Sequence, residues 1–530
     1  MFHFSLFKFD MLDGEVWWGG TTAKNACPLD QNSVYHEDMR DFSTSSSNQA
    51  MPLFLSSRGR YLWSDAPFDI RVKSGRITVK SSGRAPELVK AGETLRDAYL
   101  AAQKAHFPCD QRTLPTAFFK NAQLNTWMEF TYYPTQQGVL DFARKWVESG
   151  FKPGIFTIDE GWQRRYGVWN FDPARFPDPK GMVDEMHRLG FKVLLWIVPY
   201  VSADGADYVR SVRPLEGTDP EMAKRLYLRT KKGNVALFSW WNGFSAMLDM
   251  TDEYNRRFLK EQLDRLMTEY GVDGFKFDGG SVNGYSPLHV ENGKLAKSVT
   301  AHELNAAWNA FGAEYEYHEF KDTYGRGGFN TIQRLRDKNH RWTEKGINML
   351  LPCALTAGLI GYPFLCPDMI GGGEWTFNYL PGFHIDEELF IRMAQCSALF
   401  PMMQFSWAPW KALGPKGLSL CLEAARLHER MASRIENLVR KAEQDGEPIL
   451  RALEYVDPNA GFEHVADEFL LGNDLLVAPV VTEKTYEREV FFPAGCWKDE
   501  NGNRYEGRTR RILSAPIEKL LWFERIETGE

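Results

Sequence analysis

The stretch Gly271–Gly284, "GVDGFKFDGGSVNG", decides how the rest of the chain is read. Gly274 to Phe277 is a four-residue apolar run of strand type, and it ends on Asp278, followed by two glycines. A carboxylate at the end of a buried strand, next to a loop without bulk, suits the mouth of a (β/α)8 barrel, where the C-terminal strand ends carry the chemistry. Asp278 alone leaves three readings open: a catalytic carboxylate, a helix cap, or a metal ligand. The two small residues after it suggest close access for a substrate carbon.

The pattern repeats on both sides of this stretch. "PGIFTIDEGW" is a strand ending in Asp159 and Glu160, "PDPKGMVDEMHRLG" a helix, "FKVLLWIVPYV" an apolar strand, and "NRRFLKEQLDRLMTEYG" a helix leading into Asp278. "LNTWMEF" also reads as a strand, "AEYEYHEF" as another, "YPFLCPDMIGGG" as a strand followed by a loop, and "PMMQFS" as the last. About eight strand–helix alternations over roughly 290 residues predict an α/β fold with a (β/α)8 TIM barrel. No GxGxxG follows a strand, which counts against a dinucleotide fold. We place the barrel at 116–412, an N-terminal β-sandwich-like domain at 1–115, and a linker helix with a C-terminal β-sandwich at 413–530. In the N-terminal domain, "FDIRVKSGRITVKSSG" is a hairpin broken at "SG".

Composition narrows the partners. With a net charge of −7 and no basic block, a nucleic acid is not expected. No apolar run reaches the length of a membrane span, and the first twenty residues lack the layout of a signal peptide. The seven cysteines (Cys27, Cys109, Cys353, Cys366, Cys396, Cys421 and Cys496) never pair as CxxC, which fits free thiols and a cytoplasmic location. Aromatic residues make up 14% of the chain, enough to fill a core and also to stack on sugar rings.

The strand-end acids are Glu129, Asp159, Glu160, Asp278, Glu319 and Asp368, with Asp337 in the basic loop "QRLRDKNHRW". Trp162, Trp196, Trp240, Trp241 and Trp407 lie near them in the pattern. Acids for sugar hydroxyls and indoles for sugar faces suit a carbohydrate site. Each tryptophan taken singly suits the core better than a ligand, Asp337 suits a surface ion pair, and His318 suits a local hydrogen bond or packing. A magnesium site built from acids remains open on the residues alone.

Longer segments carry a resemblance. Residues 169–201, "WNFDPARFPDPKGMVDEMHRLGFKVLLWIVPYV", "VDGFKFDGG", "LTAGLIGYPFLCPDMIGGG", and "DEFLLGNDLLVAPVV" followed by "REVFFPAGCWKDENGNRYEG" resemble glycoside hydrolase family 31 from about residue 55 to the end. "FKFD", "GYPFLCPDMIGG" and "PMMQFSWAPW" are most similar to the branch holding bacterial α-galactosidases and a vertebrate homologue. The resemblance implies a retaining exo-α-glycosidase, with Asp278 as nucleophile and Asp337 as acid/base, two carboxyls about 5–5.5 Å apart. It also implies a raised pKa at Asp337, partly from the charge of Asp278. Asp159, Glu160 and Asp368 fall among the sugar-contacting positions, and Trp196, Lys276 and Trp407 line the same pocket. No metal or organic cofactor is implied; the partner is a carbohydrate, and a homo-oligomer is left open.

The chain departs from the family pattern at three places. Lys321 stands where relatives carry an arginine, with Arg326 as a substitute if the loop is shifted; a lysine does not reproduce a planar two-point contact. Gly280-Ser281 replaces a common Gly-Glu, and Ser406 replaces a histidine frequent in α-glucosidases. An α-galactoside is therefore the first substrate, with an α-glucoside, α-xyloside, sulfoquinovoside or α-N-acetylgalactosaminide as alternatives within the family. A non-catalytic carbohydrate-binding barrel and a metal-dependent barrel enzyme are the readings outside it.

Overall fold

A computed structural model describes residues 5–22, 28–40, 48–81, 84–212, 220–343 and 345–526. The expectations for residues 1–4 and for Cys27 lie outside them. The chain forms two compact units, Leu124–Tyr324 and Met1–Gln123 with Gly325–Glu530.

In the first unit, the strand Gly274–Phe277 lies parallel between Lys192–Ile197 and Tyr317–Phe320, and Lys192–Ile197 pairs in turn with Ile155–Ile158. Leu124 and Asn125 extend the array beside Phe156 and Thr157. These strands are buried on both faces, which explains apolar runs without alternation. Helices Gln136–Glu148, Pro179–Leu189, Glu253–Tyr270 and Ala301–Gly312 alternate with them. Their limits follow local chemistry. Thr135, Asp178, Asp252 and Thr300 accept N-terminal backbone N–H groups, and Gly190 and Gly271 take left-handed φ values of 100° and 81° at two C-termini.

Gly274 shows how closely two strands approach. A Cβ there would sit 1.9 Å from the Tyr317 carbonyl oxygen on the neighbouring strand. Gly274→Ala must push the strands apart, at a cost of about 1–3 kcal/mol by analogy with overpacked cores. A thermal melt of the variant should show a lowered midpoint; an unchanged midpoint would contradict this packing.

Three expectations are corrected here. "LNTWMEF" is a strand only as far as Asn125; the Asn125 side chain accepts the Trp127 N–H at 2.7 Å, and Trp127–Phe130 is a helical turn. Glu129 therefore lies on a helical turn and not at a strand end. "FKVLLWIVPYV" stops at Ile197, and beyond Pro199, which has no N–H to offer a ladder, Tyr200–Ser202 joins a different sheet. That sheet is antiparallel, Tyr200–Ser202 with Gly243–Met247 with Leu237–Trp240. It packs through Tyr200, Phe238 and Met247 on Trp196, Val198 and Tyr285.

In the second unit, the N-terminal region forms two antiparallel sheets. In one of them, Phe68–Lys73 and Arg76–Ser81 meet at Ser74 (φ 51°) and Gly75 (φ 70°), the doubly left-handed turn that a two-residue hairpin favours. Parallel pairs Gln333–Arg334 with Leu365–Cys366 and Met369–Ile370 with Gln404–Phe405 continue the barrel pattern. "YPFLCPDMIGGG" thus makes two short strands, not one, interrupted at Pro367-Asp368. The helix Pro415–Asp445, closed by Gly446 at φ 71°, leads to the C-terminal antiparallel sheets. Among the described residues, Cys109, Cys353, Cys366, Cys396, Cys421 and Cys496 are free thiols, and no helix is long and apolar enough to cross a membrane.

Candidate active site

Asp278 follows the strand Gly274–Phe277, its side chain 13% exposed. Its Oδ2 accepts the Trp196 indole N–H at 2.9 Å and its Oδ1 the Gly279 N–H at 2.7 Å. Two donors of fixed direction hold the carboxylate in one orientation. The glycines after it have another cause than substrate access. Gly279 and Gly280 take φ values of 59° and 60°, and side chains there would meet the Tyr200 ring at 2.7 Å and the Trp308 ring at 2.6 Å. Backbone conformation and packing require them.

The strand that carries Asp278 and the strand Ile155–Ile158, two places along the sheet, supply a buried ion pair. Lys276 Nζ lies 2.6 Å from Asp159 Oδ2 and 4.0 Å from Asp278 Oδ2. Asp159 also accepts from Asn125 Nδ2 at 2.7 Å and, through Oδ1, from the Glu160 N–H at 2.9 Å, so both of its oxygens are engaged. Each buried charge has a partner, which is the condition for keeping it.

Glu160 is as buried as Asp159, yet among the described residues its hydrogen-bond donors are uncharged. Its Oε1 accepts from the Tyr166 hydroxyl at 2.5 Å and from Asn242 Nδ2, and its Oε2 from the Trp241 indole N–H at 3.3 Å. Burial pushes its carboxyl up to about 8; the charges of Asp159 and Asp278 add to this, while the Tyr166 and Trp241 hydrogen bonds oppose it. The sign of the pH effect follows. The unfolded chain releases this proton near 4.5 and the folded chain holds it to about 8, so its contribution to stability is complete below 4.5 and is lost as the pH climbs through that window. Glu160→Gln removes the dependence. The melting temperature of the variant should gain on that of the wild type between pH 4.5 and 8, and parallel curves would count against a protonated Glu160.

In the other unit, Arg334, wholly buried at the end of its strand, joins two acids. Its Nη1 lies 2.7 Å from Asp337 Oδ1 and 3.2 Å from Asp368 Oδ1. Asp337 is 27% exposed at its side chain, while Asp368 is fully enclosed. Asp368 accepts backbone N–H groups from Lys338 (2.6 Å), Met369 (2.7 Å) and Gly373 (3.2 Å). Burial, then the charge of Asp337, pushes the Asp368 carboxyl up to about 6 against the pull of Lys338 and Arg334. Asp368 is thus a positioned structural acid as well as a candidate ligand. Trp407 packs over Gly371 and 6.2 Å from Phe383, and its buried indole N–H has no hydrogen-bond partner among the described residues.

The remaining candidates divide. Lys321 is buried directly after the strand Tyr317–Phe320, in the same unit as Asp278. Arg326 belongs to the other unit, where its guanidinium lies 3.7 Å from the centre of the Phe329 ring and its backbone N–H meets the Tyr362 hydroxyl. Sequence reasoning missed Arg334, Tyr166 and Asn242. For Arg334 a signal existed, an arginine three residues before Asp337; for Tyr166 and Asn242 none did. Among the described residues, no group of three or more His, Cys, Asp or Glu side chains is arranged to hold a metal ion.

Comparison with known proteins follows the same outline. The model of the glycosyl hydrolases family 31 TIM-barrel domain matches residues 116–412, and that of the family's C-terminal domain matches residues 446–526. The chain belongs to glycosyl hydrolase family 31. Its barrel is the (β/α)8 TIM barrel of that family, flanked by β-sheet domains at both ends. The myogenesis-regulating glycosidase of Mus musculus is 29% identical over 446 residues, 82% of this chain and 60% of that protein. Alpha-glucosidase 2 of Bacillus thermoamyloliquefaciens is 27% identical over 416 residues, 73% of this chain and 50% of that one. The family 31 member thus spans little more than half the length of these relatives. A dextranase of the family from Flavobacterium johnsoniae, complexed with isomaltotriose, has a TM-score of 0.81 at 18% identity over 98% of this chain and 66% of its own, which speaks to the fold.

Proposed function

We propose that this chain is a retaining, exo-acting α-glycosidase that hydrolyses terminal α-linked sugars by double displacement. The observation that carries the reading is the Asp278 carboxylate, partly open at the end of a barrel strand and held by the Trp196 and Gly279 N–H groups. Family membership supports it. In the first step, an Asp278 oxygen attacks the anomeric carbon as the glycosidic C–O bond breaks. The bonding pair leaves on the aglycone oxygen, which takes the proton of Asp337. In the second, Asp337 removes a proton from water, the water oxygen attacks the same carbon, and Asp278 leaves as carboxylate. The Lys276 ammonium, paired with Asp159 at 2.6 Å, also lies 4.0 Å from Asp278 Oδ2.

For the sugar, the α-galactoside remains our first choice, on the likeness of "FKFD", "GYPFLCPDMIGG" and "PMMQFSWAPW" to that branch. Neither curated relative above carries this sugar in its name, and one is named an α-glucosidase. The test is a panel of 4-nitrophenyl α-glycosides (galactose, glucose, xylose, sulfoquinovose and N-acetylgalactosamine), with proton NMR of the first-formed anomer. An α product is expected, with galactose turned over best. A β product overturns the retaining mechanism, and a clear preference for another sugar replaces the galactoside.

A further inference from the structure

The segment from Asp337 to Trp342 has neither strand nor helix to hold it. Its shape depends on individual ties, and one of them is made by His340, a buried residue with no part in the chemistry described so far. The imidazole is held at both nitrogens. Nδ1 lies 2.8 Å from the Gly371 carbonyl oxygen, and Nε2 lies 2.8 Å from the Asp386 backbone nitrogen. A carbonyl can only accept and a backbone N–H can only donate. The partners therefore fix the tautomer: Nδ1 carries the proton and Nε2 accepts. An imidazolium, protonated at both nitrogens, would lose the second bond. Burial lowers the pKa of the ring, against the Gly371 hydrogen bond and the charge of Asp386, and so favours the neutral form.

Both partners lead back to the acids of the site. Gly371 begins the loop after Met369–Ile370. A Cβ at Gly372 would meet the Lys338 carbonyl oxygen at 2.7 Å, and one at Gly373 would sit 2.6 Å from Asp337 Oδ1 and 2.8 Å from Asp368 Oδ1. The two loops thus lie against each other with no room for a side chain, and a shift of one displaces the carboxyl group of the other. Asp386 caps the helix Glu387–Ser397. Its Oδ1 accepts the Leu389 N–H at 3.1 Å, and its Oδ2 accepts the Trp342 indole N–H at 2.9 Å. His340 therefore joins the Asp337 loop to a second loop on one side and to a helix end on the other. An apolar side chain of the same size would fill the space as well, but it would leave the Asp386 N–H and the Gly371 carbonyl without these bonds.

We propose that His340 is a positioning residue for Asp337: as a neutral imidazole it clamps the loop between Gly371 and Asp386 and so fixes the place of the acid/base carboxyl. This rests on the glycosidase reading above and adds to it the group that holds the proton donor. A displaced donor harms only those substrates whose leaving oxygen needs its proton, and small displacements are costly for an oriented group.

The experiment compares His340→Ala and His340→Gln with the wild type and with Asp337→Ala. It uses two substrates of the preferred sugar: the methyl α-glycoside, whose oxygen must be protonated to leave, and the α-glycosyl fluoride, whose leaving group departs unaided. kcat/KM reports the first chemical step on each. For His340→Ala we expect kcat/KM to fall about 10–100-fold on the methyl glycoside and to stay within about twofold on the fluoride. Glutamine carries one donor and one acceptor, so His340→Gln should recover most of the loss. A merely structural role would lower both substrates alike. Equal losses on the two, no loss on either, or a glutamine variant as impaired as the alanine variant overturns the clamp. If His340→Ala does not fold, His340→Asn, too short to reach both partners, must show the same contrast between substrates. If the wild type cleaves no α-glycoside, or Asp337→Ala shows no contrast, the glycosidase reading or its proton donor falls and takes the clamp with it. A contrast in Asp337→Ala without one in His340→Ala overturns the clamp alone.

Discussion

Asp278→Ala should lower kcat on every α-glycoside by about 10⁴-fold or more, the scale seen when a covalent nucleophile is removed from an enzyme whose binding groups remain. The substitution leaves the surrounding structure largely satisfied. Lys276 retains Asp159 at 2.6 Å, and the groups that lose an acceptor include one indole N–H and one backbone N–H beside a partly open position. A loss of folding is therefore not the expected cause, and a thermal melt near that of the wild type should accompany the loss of turnover. Azide separates chemistry from structure. In the variant it enters the space left by the carboxylate, attacks the anomeric carbon from the side Asp278 used, and expels the aglycone with its electron pair. An α-glycoside should then yield a β-glycosyl azide, visible by proton NMR. Turnover at the wild-type rate in the variant would remove Asp278 from the nucleophile's role.

Much of the surroundings of Asp278 could be read in the sequence because a barrel ties chemistry to strand ends. "GFKFD" gives the strand Gly274–Phe277 and the acid at its end, and the structure keeps both; the pairing of Lys276 with Asp159 was not in the pattern. Contacts that depend on turns were not readable. Glu160 looked like a simple companion of Asp159, but it is fixed by Trp241 and Asn242 from a hairpin some eighty residues away in sequence, and no local pattern announces such a pairing. Gly279 and Gly280 were legible as glycines but misread as openness, because their cause is a backbone conformation imposed beneath Tyr200 and Trp308. The basic loop around Asp337 suggested solvent-facing ion pairs, whereas Arg334 is buried and shared between two acids. Burial of a charged side chain is a property of the packed molecule, and composition does not carry it.

The Asp337→Ala variant should behave differently from Asp278→Ala, and the difference is the sharper test of a divided mechanism. Arg334 keeps Asp368 as a partner at 3.2 Å when Asp337 is gone, so no buried cation is stranded and the variant should fold. Loss of a positioned acid and base costs about 10²–10⁴-fold where proton transfer matters. It matters most for an alkyl or sugar leaving group, whose oxygen cannot depart as an anion. It matters least for fluoride or a 2,4-dinitrophenolate, which depart unaided. A plot of log kcat/KM against leaving-group pKa should therefore be steep in the variant and shallow in the wild type. With the best leaving groups the first step outruns the second, because no base is left to activate water, and a burst of released aglycone should precede slow turnover. Azide needs no such base, so it should relieve the second step. Attack on a β-linked intermediate gives an α-glycosyl azide, the opposite anomer to that from Asp278→Ala. Identical anomers from the two variants, or a uniform rate loss across all leaving groups in Asp337→Ala, would deny Asp337 the proton-transfer role and leave it as a partner of Arg334.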